Sequence, residues 1–153
     1  MRALEPWVVQ PLETFLAESG ARLTLLMTSS GQVVAQHGFS RSLDVMTAAA
    51  LGAAIVASTE ELARLMGASR FEALVHNGQR QSCMLAAFGT PRGRWIGLVV
   101  FGPETSVGIV RLFFDQMIQQ LAALAPREHV PAPMLAENFE SELNDSLKAL
   151  FGR

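Results

Sequence analysis

The chain has 153 residues, half of them hydrophobic and only 17% charged, with a net charge of -2. That length suits one ordinary domain with a buried core plus a short appendage, and so few charges leave little polar surface to coat a monomer, which predicts an oligomer. The charge balance argues against nucleic acid as a partner, although Arg80, Arg92 and Arg94 would make a small basic patch. Cys83 stands alone, which excludes an internal disulfide framework and a cysteine-rich metal site and suits a reducing cytoplasm. The opening MRALEPWVV has neither the long apolar core nor the cleavage site of a secretory signal. The apolar run from Val45 to Ala57 falls short of the roughly 20 residues that span a bilayer, so membrane insertion is not expected.

From Glu5 to Ser19, residues Trp7, Val8, Leu12, Phe15 and Leu16 share one helical face, and Gly20 follows where a left-handed cap is wanted. Pro6 fits the first turn, whereas Pro11 should kink this helix or move its start later. RLTLLMT from Arg22 and QVVAQHG from Gln32, separated by Ser29, Ser30 and Gly31, read as two short strands joined by a tight turn.

The stretch Leu43 to Gly67 is the centre of the pattern. On a period of 3.6 it carries a large row, Leu51, Ile55, Leu62, Leu65 and Met66, and a smooth row, Ala49, Ala53 and Ala57, flanked by Gly52 and Val56. The large row is expected to lie on a sheet and the small row to let a twin helix come close. Ser58 and Glu61 have capping-box spacing, but the apolar phase of Ile55, Val56, Leu62 and Met66 favours one continuous helix.

Asn77 and Gly78 are the strongest hairpin signal, between strands expected at Phe71–His76 and Gln79–Phe88. Thr90 to Gly93 make the next turn. Trp95–Phe101 is the fifth strand, so continuously apolar that helices should cover both faces of the sheet. Gly102 and Pro103 open a last helix, apolar at Val107, Val110, Leu112, Phe113, Met117, Leu121 and Leu124 and ended by Pro126. The proline-rich segment 126–136 reads as a stiff connector. Beyond it, residues 137–153 form an amphipathic helix with Phe139, Leu143, Leu147, Leu150 and Phe151 on one face, too short to stand alone in water without docking. The expected domains are therefore 1–125, the connector 126–136 and the tail 137–153.

No constellation for catalysis, cofactor or metal emerges. His37, His76 and His129 are far apart, Cys83 lies in mid-strand with no adjacent base, and GPETSVG from Gly102 lacks the lysine of a phosphate loop and reads as helix capping.

The order helix, two strands, helix, three strands, helix, with an Ala-rich second helix running into EELARLMG, resembles the roadblock family of dynein light-chain type domains over about residues 3 to 125. Gly20, Ala21 and Arg22, the segment LARLMGASRFEALVHNGQR and the ending KALFG resemble the bacterial MglB-like members. The resemblance implies an α/β (α+β), three-layer α-β-α sandwich with a five-stranded, mostly antiparallel sheet. It also implies a homodimer in which second helices lie side by side and third strands join edge to edge, placing Ala49, Gly52, Ala53, Val56, Ala57, Phe71, Ala73 and Val75 at the interface.

The resemblance further implies a noncatalytic, cytoplasmic regulator of a small Ras-like (MglA-like) GTPase in polarity or motility, by activation or nucleotide exchange. Thr59, Glu60, Ala63 and Arg64, with Phe139, Leu143, Leu147 and Phe151 of the tail, would meet the GTPase. Such proteins act without an arginine finger, and Arg64 reads as an exposed helix arginine. An adaptor without effect on nucleotide turnover is the alternative.

Overall fold

The computed structural model describes residues 1–39, 43–126 and 143–151. Its elements are β1 (Arg2–Ala3), a 3-10 turn (Pro6–Val8), α1 (Val9–Ser19), β2 (Leu23–Thr28), β3 (Val33–Gly38), α2 (Val45–Leu65), β4 (Leu74–Asn77), β5 (Ser82–Thr90), β6 (Gly93–Phe101) and α3 (Val107–Leu124). Residues 143–151 are also helical. The connector and the start of the tail, 127–142, lie outside the described residues, and with them Phe139 and His129.

One sheet runs β1-β3-β2-β6-β5-β4 with every neighbouring pair antiparallel. It has six strands where five were expected. The addition is β1, which pairs Arg2 with Gln36 and Ala3 with Ala35 and is too short for any alternation to announce it. Pro11 occupies the first turn of α1, where its missing N–H has no intrahelical acceptor to lose; the helix accordingly starts later than Glu5, after a 3-10 turn. Gly20 takes the left-handed cap at φ 72°. The expected strand 71–76 begins only at Leu74. Asn77 pairs with Ser82, so the turn spans 78–81 rather than Asn77-Gly78 alone, and Gly78 is needed because a side chain there would strike the Gln81 carbonyl.

The alternation of side chains divides the core in two. Trp95, Val99 and Phe101 of β6, Met84, Ala86 and Phe88 of β5 and Leu26 of β2 face α1 and α3, where they meet Leu12, Phe15, Val110, Phe114, Met117 and Leu121. Rings interlock here: Phe114 stands edge-on to Phe15 at 5.9 Å and to Phe88 at 5.6 Å, while Trp7 stacks on Trp95 at 5.5 Å. Gly97 makes room for this. A Cβ at that position would sit 2.5 Å from the Phe114 ring.

Leu25, Met27, Leu85, Ile96 and Leu98 face the other way, toward α2. Helices thus lie on both faces, as the continuous apolar run of β6 requires. Among the described helices, α2 is long and apolar enough to cross a membrane by length and composition. To do so it would have to leave the sheet and expose those five side chains, which makes a layer over the sheet the better account of its apolarity.

Candidate functional site

The candidate site is the outward surface of α2 together with the free edge at β4. Asp44 starts the helix: its Oδ1 accepts from the Thr47 amide at 3.2 Å and its Oδ2 from the Thr47 hydroxyl at 2.6 Å, bonds that hold the carboxyl below its usual range. Gly67 ends it at φ 65°. The Gly67 amide donates to the Arg64 carbonyl and the Ala68 amide to the Ala63 carbonyl, a Schellman motif. Ser58 lies in mid-helix and donates to the Ala54 carbonyl, so no new helix begins there.

The two faces of α2 are the reverse of the sequence expectation. Ala49, Gly52 and Ala53 are buried, with Ala49 and Ala53 packed among Leu25, Met27, Leu85, Ile96 and Leu98 of the chain's own sheet. They are therefore not available to a twin. The physical reason lies in the strands, whose large residues already fill the space beneath the helix and leave room only for small ones. A Cβ on Gly52 would come within 3.3 Å of Leu85 Cδ2 and 3.4 Å of Met27 Cε. The large row points outward instead: Leu51 is 59% exposed, Leu62 53%, Leu65 73% and Met66 64%, with Ile55 half-buried at the margin. The signal that finds this row is its spacing. Residues 51, 55, 58, 62 and 65 advance in steps of four and three, which places them on one stripe of the helix.

Among the other expected dimer residues, Ala57 is exposed and Val56 half-buried against the sheet-facing cluster. Phe71 is exposed and, with half-buried Ala73, precedes β4, while Val75 lies within that strand, half-buried. β4 is the last strand of the sheet, so one side of its backbone has no strand partner among the described residues.

The expected GTPase contacts on α2 do not share one face. Ala63 is buried at the C-terminal turn of α2, and Glu60 turns toward the sheet to pair with Arg94 of β6 at 2.5 Å, so neither lies on the outward face. Thr59 is half-buried and its hydroxyl donates to the Ile55 carbonyl at 2.8 Å. Arg64 is exposed and pairs with Glu61, its Nε 3.1 Å from Oε2; the contact raises the arginine and lowers the glutamate pKa. Leu143, Leu147 and Phe151 are exposed on the tail helix, and Leu150 joins them. The basic patch dissolves as well, because Arg94 pairs with Glu60 and Arg92 with Glu5. Cys83 sits partly buried in β5, and desolvation raises its thiol pKa, contrary to what a nucleophile needs. No cluster of metal-ligating side chains exists among the described residues.

The Roadblock/LC7 domain family profile matches residues 10–90, from early in α1 to the end of β5. The chain belongs to that family. Within it the chain is MglB-like. It is similar to the structure of Myxococcus xanthus MglB, with a TM-score of 0.72 and 25% identity over 78% of this chain and 95% of that one. It is also similar to the gliding protein mglB of Thermus thermophilus, with a TM-score of 0.69 and 31% identity over 78% of this chain and 88% of that one. A structure described as MglB with tetrameric arrangement matches equally well, with a TM-score of 0.69 and 31% identity over 77% and 87% of the two chains. No curated protein matches the chain in sequence.

Proposed function

We propose that this roadblock protein is a noncatalytic, homodimeric, cytoplasmic regulator of a small Ras-like GTPase of the MglA type, acting in polarity or motility. The observation that carries the reading is the outward apolar row Leu51, Leu62, Leu65 and Met66 on a helix whose inward face is already satisfied by its own sheet. Two copies of that row bury each other along the 51-55-58-62-65 seam, and Val56, Ala57, Phe71, Ala73 and Val75 extend the contact toward the β4 edge. The paired helices then offer a rigid platform. Thr59 and Arg64, near its end, and the tail residues Phe139, Leu143, Leu147 and Phe151 are the GTPase contacts, while Glu60 and Ala63 support α2 from beneath.

A regulator of this kind accelerates hydrolysis or exchange by fixing the GTPase's own groups in a competent geometry, without inserting an arginine. Arg64, already paired with Glu61, suits a docking role. The test is GTP hydrolysis and nucleotide release by the cognate GTPase with and without this protein, beside a binding measurement. Stimulation of either rate supports regulation; binding with both rates unchanged leaves the adaptor in its place.

A further inference from the structure

Away from α2's outward face, a second apolar surface lies at the opposite edge of the sheet. A groove of about 580 Å³ runs between β1, β3 and the start of α2, lined by Leu4, Val33, Val34, Val45 and Met46 among others. Met46 is 79% exposed and Leu4 77%. Arg2 is the one charged side chain among its lining residues. The helix at 143–151 has the complementary deficit, since Leu143, Leu147, Leu150 and Phe151 share one stripe and are all exposed.

We infer that the groove is the resting dock of the tail helix of the same chain. The dimensions agree: Val33–Gln36 offers about 13 Å of strand floor, and residues 143–151 make about 13 Å of helix. Chain direction agrees too. β6 begins at the Trp95 end of the sheet, α3 returns to that end, and there the 3-10 turn, whose Trp7 stacks on Trp95, leads back into Leu4 and the groove. Residues 127–142 reach roughly 50 Å when extended, more than the diameter of about 35 Å of a domain this size. Glu137, Glu140, Glu142 and Asp145 give the approaching segment a negative charge, and the groove answers with Arg2 and no acidic lining residue. Docking there hides Leu147 and Phe151, so a partner that takes the tail must first win it from the groove. The dock itself stands whether or not that partner is a GTPase.

The full-length chain tests this by NMR with a nitroxide on Lys148→Cys in a Cys83→Ala background. The expected result is selective loss of the amide signals of Val34, Ala35, Gln36 and Met46, unchanged when labelled chains are diluted into unlabelled ones, and restored by Met46→Glu. Met46 is so exposed that this change leaves the fold intact. Signal loss along Leu51, Leu62 and Leu65 instead, loss that dilution abolishes, no localised loss, or loss that Met46→Glu does not relieve would each overturn the inference.

Discussion

The two faces of the sheet are covered by different strategies. Toward α1 and α3, bulk meets bulk: Phe15, Phe114, Met117 and Leu121 interlock with Phe88, Trp95 and Val99, and two helices share the work. Toward α2, bulk on the strands meets Ala49, Gly52 and Ala53, and one helix suffices because small residues let it lie close. The difference lies in what remains outside. The first face uses its large side chains for the chain's own stability, whereas the second leaves the large side chains of its helix exposed.

The contrast predicts a graded set of responses. Phe114→Ala empties the ring cluster and should lower unfolding free energy by about 3–5 kcal/mol in denaturant titration. Gly52→Val overfills the close-packed side, where Met27 and Leu85 stand in the way, and should cost about 1–3 kcal/mol in the same measurement. An equal or larger loss than for Phe114→Ala would mean that α2 has less freedom to lift than its small residues suggest. Leu65→Glu acts on the outward row, so protomer stability should change by no more than about 0.5 kcal/mol while light scattering reports a monomer. A dimer that survives this change moves the seam off α2's outward row.

The smallest response concerns the clasp between Arg22, just before β2, and Glu104, in the turn that precedes α3. Arg22 donates to Glu104 through Nε at 2.8 Å and Nη2 at 3.0 Å, and this bonding lowers the Glu104 pKa below its usual range. A carboxylate whose folded pKa is depressed contributes stability above its unfolded pKa and loses it as pH falls through the folded value. The stability gap between wild type and Glu104→Gln should therefore be widest near neutrality and close in acid, a slight effect because both side chains are substantially exposed.

Most of the fold was legible because its signals are local: Gly20 as a cap, the apolar continuity of β6, the helical spacing of α1 and α3. β1 was not, since two residues carry no period. The facing of α2 was not legible from the helix alone, because both rows are apolar and only their sizes differ. What decides between them is the volume of Leu25, Met27, Leu85 and Ile96 across the gap, a tertiary fact. The same limit hides the pairing of Glu60, whose partner Arg94 is distant in sequence but adjacent in space.

The close approach of Phe114 to Gly97 constrains how this protein can diverge. Phe15 and Phe88 meet the ring edge-on from two sides, so a methyl group at position 97 requires the Phe114 ring to shift out of this arrangement. Positions 97 and 114 are therefore coupled: alanine at 97 displaces the Phe114 ring, and a smaller residue at 114 removes that conflict. A chain that changes 114 first carries a cavity there until 97 fills it.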